Sequence, residues 1–276
     1  MSKRRMCPHC RAFIDARDRV CPYCETEVGP TPAARLPTDL LGGLVPSTRF
    51  VTFLILVVNL GLFAATFIYS LRRGNPSPAM AIDGVTLYTF GAKLREAILF
   101  GGEWWRLVTA GFLHGGVLHI LMNTWILFDL GAEVEEIYGS RRFVVIYFVA
   151  TVTGFLASTL WYAGLSVGAS AGLMGLIGAM IALGLRHPSS IAGSMRGLYV
   201  RWVIYILLFG LLPGLQVDNA AHIGGLAGGF AAAWLAGLPG LEASWRERVW
   251  RAAAYGVAGV TLFCFVQLGF RLAALI

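Results

Sequence analysis

The sequence predicts an all-α, multi-pass membrane protein preceded by a small metal-binding module, and three observations carry that expectation. Of its 276 residues, 57% are hydrophobic and only 13% charged, far from a globular balance. Beyond residue 49 the chain is a series of apolar runs, closely spaced after a longer connection between the first two. Ahead of them, Cys7, Cys10, Cys21 and Cys24 form two Cys-Pro-x-Cys pairs.

Residues 1–28 read as the module. Two such pairs can set four thiolates around a tetrahedral ion, which Zn2+ suits best. A stretch this short cannot bury a core, so a structural zinc would supply the folding energy. The pattern resembles a zinc ribbon or a rubredoxin-like knuckle pair. Disulfides are the other reading, and the basic flank argues against them by favouring a reducing compartment. His9 is a spare candidate ligand, and Cys264, alone in the last apolar run, reads as a buried inert thiol. Residues 29–48, with Gly29, Pro30, Pro32, Pro37, Gly42, Gly43 and Pro46, have linker composition. The polar first 35 residues contain no apolar h-region, so no cleavable signal peptide is expected.

Residues 49–276 form the transmembrane domain, with expected spans near 50–71, 115–133, 143–164, 170–186, 198–213, 219–237 and 250–270. Several are shorter than the roughly 20 residues of a full crossing, which small-residue helices inside a bundle tolerate. Segment 72–113, with Glu103, Trp104, Trp105 and Arg106, fits an interfacial loop.

The formal charge of +7 is carried mainly by arginine, because Lys3 and Lys93 are the only lysines. That leaves almost no candidate for a buried lysine base. In so apolar a chain a basic balance sets topology, and no nucleic-acid partner is expected. Lys3, Arg4, Arg5 and Arg11 precede the first span. Arg141 and Arg142 lie between spans two and three, Arg186 and Arg196 between four and five, and Arg246, Arg248 and Arg251 between six and seven. A cytoplasmic N-terminus puts all three connections inside; Arg72, Arg73 and Arg271 break the pattern. Spans two, four and six then run from outside to inside, so their starts share one depth. Those starts carry His114 and His119, Ser170, and His222.

Small residues recur every four positions through Ala221, Gly225, Gly229, Ala233 and Gly237, and through Gly224, Gly228, Ala232 and Ala236. Span four carries Ala171, Gly175 and Ala179, so spans four and six are expected to approach closely. Ser170 itself sits in Gly168-Ala169-Ser170-Ala171-Gly172. A Gly-x-Ser-x-Gly pentapeptide in a soluble α/β protein suggests a nucleophile elbow, but here a long apolar helix follows. A serine hydroxyl needs a base, and His222 is the candidate. The developing oxyanion needs donors, for which Asn123, His119 and the Ser170 amide are candidates. Each has a plainer reading: a membrane serine usually bonds its own backbone, whereas intramembrane histidines are costly and more often functional. Asp218 could orient His222, but with Asn219 it fits better as the cap of span six.

Five motifs now stand in order between about residues 100 and 237: Glu103-x-Trp105-Arg106, His114-x4-His119-x3-Asn123, Gly131-x3-Glu135-x3-Gly139, Gly168-x-Ser170-x-Gly172 and Ala221-His222-x2-Gly225-x3-Gly229. The set resembles the rhomboid intramembrane serine proteases. The resemblance implies a six-helix core, here with one further C-terminal helix, and a Ser170–His222 dyad that requires no aspartate and no metal. It implies an oxyanion pocket from His119, Asn123 and the Ser170 amide, with Gly168 beside it, and a structural part for His114. It also implies cleavage of peptide bonds in or near the transmembrane helices of substrates within the lipid bilayer. Substrates would enter past Trp202 to Phe209, under a cap at 213–218. Prokaryotic members would place the chain in the cell's inner membrane. The module lies outside the core motifs, where a protein partner is one candidate role.

Rival readings fare less well. His114 and His119 lack a His-Glu-x-x-His frame and would point about 140° apart on a helix. Asp129 and Asp218 fall at opposite ends of their spans, which argues against an aspartyl dyad. A silent relative that binds membrane clients usually lacks the serine or the histidine, and this chain keeps both. The silent relative is still the main alternative, and a transporter, whose class small-residue helices also suit, is a weaker one.

Overall fold

The first helix of the membrane unit begins where its N-terminal amides find an acid. The computed structural model describes residues 4–28 apart from 8, 11, 16 and 17, and residues 49–187, 190–213, 216–239 and 244–274. Linker 29–48, Lys3, Arg11 and part of the expected cap at 213–218 lie outside the described residues. The chain divides into two units, Met1–Ser47 and Thr48–Ile276.

In the first unit, β1 (Arg4–Met6) and β2 (Phe13–Asp15) pair antiparallel, with Met6 opposite Phe13. A bridge joins Val20 to Glu27. Cys7, Ile14, Cys21 and Val28 make its small core.

In the second unit, α1 (Phe50–Arg72) starts under Glu135, whose buried carboxylate accepts the Val51 and Thr52 amides at 3.0 and 2.8 Å and the Thr52 hydroxyl at 2.7 Å. Three short helices, α2 (Gly84–Thr89), α3 (Arg95–Leu99) and α4 (Arg106–Thr109), fold the segment expected to be an interfacial loop. Helix α5 (Val117–Ile126) runs through a π-helical turn, Leu127–Gly131, into α6 (Ala132–Trp161). Gly139, at φ 73° and ψ 152°, breaks α6 and separates two of the expected spans. Then come α7 (Ser170–Arg186), α8 (Ser190–Phe209), α9 (Asn219–Ala236) and α10 (Ser244–Ala273). The expected spans overlap these helices, although 143–164 and 198–213 run past the ends of α6 and α8 and 115–133 crosses the π-helical turn. Among the described residues, three stretches are long and apolar enough to cross a membrane: Phe50–Arg72, Val117–Trp161 and Trp245–Ala273. Ser170–Arg186 is shorter and apolar, and most of it is buried, packed by α6, α8 and α9.

The small-residue rows explain that packing. A Cβ added at Gly225 would come within 2.2 Å of the Ala171 carbonyl oxygen, so only glycine permits this approach of α9 to α7. The second row faces elsewhere: a Cβ at Gly228 would strike the Thr153 hydroxyl on α6 at 2.0 Å. Helix α9 therefore lies in a groove between α6 and α7, using one row on each.

Three arginines meet the last turn of α9. Arg142 Nε donates to the Ala236 carbonyl at 3.1 Å, Arg246 to Leu235 at 2.8 Å, and Arg186 to Trp234. They satisfy carbonyls that the helix itself leaves open and oppose its negative end. Arg142 is buried and also grips Glu247 of α10 through two bonds of 2.8 and 3.1 Å. The basic connections thus gather at one end of the bundle. Two of the arginines that broke the pattern are paired: Arg73 lies 3.9 Å from Asp83, and Arg271 bonds Glu103.

Candidate active site

The segment from Tyr162 to Ala169 leaves α6 and delivers the chain to α7. Lys93 and Ser166 exchange backbone hydrogen bonds of 3.0 Å each, a single antiparallel bridge. Gly168 then donates its N–H to the Ala110 carbonyl at 2.9 Å. At φ 134° Gly168 occupies a region that favours glycine, and a Cβ there would sit 2.8 Å from His119 Nε2. Its amide is committed, so what it contributes is bare backbone beside His119.

Ser170 opens α7, and its Oγ lies 3.0 Å from Nε2 of His222. His222 is buried in the first turn of α9. Asp218 caps that turn, accepting the Ala221 amide at 3.0 Å and the Ser158 hydroxyl. The other ring nitrogen of His222, Nδ1, has no partner among the described residues. Asp218 is therefore a helix cap, and Ser170 and His222 meet without an acidic third partner among the described residues.

His119 Nδ1 accepts the Gly115 amide at 3.3 Å, so its neutral ring carries the proton on Nε2, the nitrogen beside Gly168. Asn123 is buried and donates one amide hydrogen to the His119 carbonyl at 2.9 Å, leaving the second. No hydrogen bond among the described residues joins Asn123 to Ser170. His114 is fully buried, stands edge-on to His119 at 5.2 Å and bonds through neither ring nitrogen among the described residues. The Ser170 amide is one of the first in α7, where the helix supplies no acceptor. A hydroxyl, a base within bonding reach and donors at a helix N-terminus are the parts an acyl transfer uses.

The four module cysteines converge as well. Their sulfur atoms all lie within 4.8 Å of one another, Cys7 to Cys24 at 3.7 Å and Cys10 to Cys21 at 3.6 Å. A tetrahedral ion with bonds of about 2.3 Å to sulfur sets the sulfurs about 3.8 Å apart. The cluster therefore fits a metal ion, and all the cysteines are free thiols. His9 is exposed and lies outside this cluster.

Residues 101–239, just over half of the chain, match the Rhomboid domain model. The chain belongs to the rhomboid family. It is 40% identical over 154 residues to Rhomboid protease GluP of Bacillus subtilis (strain 168), which covers 56% of this chain and 30% of GluP. Over 236 residues it is 30% identical to RHOMBOID-like protein 5 of Arabidopsis thaliana, covering 75% of this chain and 73% of that one. Rhomboid-like protease 2 of Toxoplasma gondii is 32% identical over 188 residues, 67% of this chain and 66% of the relative. This chain thus spans less than a third of GluP. The rhomboid domain holds Ser170, His222, His119 and Asn123, whereas the tetra-cysteine module and α10 fall outside the match. The protein is an integral membrane protein with rhomboid architecture and a tetra-cysteine cluster that could hold a metal ion.

Other residues near the site escaped the sequence. Lys93 and Ser158 carry no motif, and their partners are distant in the chain. The one signal was that Lys93 is the sole lysine after residue 3 in an arginine-rich chain.

Proposed function

We propose that this protein is an intramembrane serine endopeptidase that cuts transmembrane or membrane-proximal segments of other membrane proteins with a Ser170–His222 dyad. The observation that carries the reading is the 3.0 Å contact between Ser170 Oγ and His222 Nε2 at the start of an enclosed apolar helix. His222 Nε2 takes the hydroxyl proton as Oγ attacks the peptide carbonyl carbon. The oxyanion that forms is held by the Ser170 amide, His119 Nε2–H and the second amide hydrogen of Asn123. His222 returns the proton to the leaving amine, and water releases the acyl product by the same steps. Trp202, Tyr205 and Phe209, exposed along α8, mark the side by which a substrate helix would enter. A client-binding role without cleavage is the rival, and it gives no reason for the hydroxyl and imidazole to be in contact.

We also propose that Cys7, Cys10, Cys21 and Cys24 hold one structural Zn2+, with no metal needed for catalysis, and that the module lies in the cytoplasm. The gathering of Arg142, Arg186 and Arg246 at one end of the bundle supports that orientation.

The deciding experiment is cleavage of a single-span model substrate in liposomes. Ser170→Ala and His222→Ala should each lose about 10⁴-fold or more in kcat. Cleavage by either variant at the parent's rate removes the dyad.

A further inference from the structure

We propose that Lys93 is a positioning residue that holds the segment Tyr162–Gly168, and through it the start of α7, in register with His222 and His119. The inference rests on the dyad reading. Lys93 lies in the connection between α1 and α5, yet it is fully buried. Its ammonium donates to the Gly164 carbonyl at 3.1 Å and to the Tyr162 carbonyl, and it stands 5.1 Å from the Tyr162 ring centre. Tyr162 and Gly164 follow the last turn of α6, where the carbonyls have lost their helical partners. The same residue's backbone pairs with Ser166 in both directions. The side chain and backbone of Lys93 thus hold Tyr162, Gly164 and Ser166, and only Val167 separates the last of these from Gly168.

Lys93 is itself anchored. Arg106 Nη1 donates to the Ala92 carbonyl at 2.9 Å, and the Thr109 hydroxyl donates to the Gly91 carbonyl at 2.8 Å. The next residue, Ala110, accepts the Gly168 amide at 2.9 Å. Segment 162–168 is therefore held at both ends by the connection that carries the Glu103-x-Trp105-Arg106 motif. Gly168 lies beside His119, where an added Cβ would come within 2.8 Å of its Nε2, and Ser170 is two residues on, so slack in this segment would move the hydroxyl and its amide against the two histidines.

Lys93→Met keeps the buried stem and removes the donors. In liposomes with the single-span substrate, its kcat should fall between about tenfold and a hundredfold, as displacement by an ångström does, with KM within about twofold. Peptide-level hydrogen exchange should accelerate at 163–168 while α7 and α9 stay protected. Lys93→Arg, which keeps donors in a different geometry, should lie between Met and parent in both measurements, and it carries the test if the Met variant does not fold. Parental kcat together with parental exchange at 163–168 in the folded variant overturns the proposal, as does a fall in kcat without any change in exchange there. Ser170→Ala is run alongside: parental cleavage by that variant sinks the dyad, whereas the exchange result judges the Lys93 anchorage without reference to cleavage.

Discussion

Substituting Gly225 by alanine tests the close packing on which the whole site depends. A Cβ at this position would lie 2.2 Å from the Ala171 carbonyl oxygen and 2.8 Å from its carbon. Carbon-to-oxygen contacts settle at about 3.3 Å or more, so the helices must part by about 1 Å. The obstructing atoms are backbone, which no rotamer change can move aside. Gly225 is three residues after His222, and Ala171 is the residue after Ser170, so the separation opens at the level of the dyad. The 3.0 Å contact would lengthen to about 4 Å, beyond hydrogen bonding. Gly225→Ala should therefore lose about a hundredfold in kcat and about 1–3 kcal/mol of stability. The assay is cleavage of the single-span substrate in liposomes, with thermal unfolding in detergent on the same preparations. Gly259→Ala on α10 is the control, because an added Cβ there meets nothing within 4 Å. Parental cleavage by Gly225→Ala would refute the reasoning, since the helices would then have room that the structure denies them.

Three more outcomes follow from the same geometry. Asp218→Asn keeps an oxygen for the Ala221 amide and should retain kcat within about threefold, whereas loss of a triad carboxylate costs about 10⁴-fold; a loss of that size would restore Asp218 to the mechanism. Purified protein should carry about one zinc per chain, and Cys10→Ser should lose most of it to a chelator while thermal unfolding of the membrane unit is unchanged; iron, or zinc retained by the variant, would contradict the assignment. Burial pushes the Lys93 ammonium down from 10.5 to about 8, with Arg95 adding to the effect and Asp218 and Glu96 opposing it. The unfolded chain keeps that proton to higher pH, so stability should rise between about pH 8 and pH 10 in the parent and lose this component in Lys93→Met; a falling difference between the two melting curves would reverse the sign.

The helices were legible because hydrophobicity and length determine them with little help from tertiary context. The small rows at Gly225 and Gly229 were legible for the same reason, being periodic. What the rows could not say is which neighbour each faces. The row through Gly224 and Gly228 packs on α6, against Thr153 and Gly154, and nothing in the spacing distinguishes that from a second contact with α7. The common depth of Ser170, His222 and His119 could be argued from arginine placement alone. Contact between Ser170 and His222 could not, because it depends on the tilt and separation of two helices. The folded loop between α1 and α5 was hidden for another reason. Arg106 is one of its ties, donating to the Tyr88 and Ala92 carbonyls at 2.7 and 2.9 Å while stacking on Tyr88 and Trp105. Every residue type offers a backbone carbonyl, so bonds of this kind leave no partner type and no period to read.

Charge is handled differently at the two ends of the bundle, and the difference bears on the chemistry. At the end of α9, carbonyls left open by the helix meet Arg142, Arg186 and Arg246, so a negative helix end is covered by cations. At the start of α7 the positive end is left uncovered. Asp218 covers the neighbouring start of α9, where it accepts the Ala221 amide, but no acidic residue occupies the first turn of α7. In the proposed site, the amides of that turn and the Nε2–H of His119 would therefore meet no anion from the first turn of α7. A neutral peptide carbonyl gains little there, whereas an oxyanion gains most, which is the condition for binding the transition state more tightly than the substrate. A carboxylate added at that turn should compete with the oxyanion for the same donors. The absence of one among the described residues around Ser170 is as much a part of the proposed site as the presence of His222.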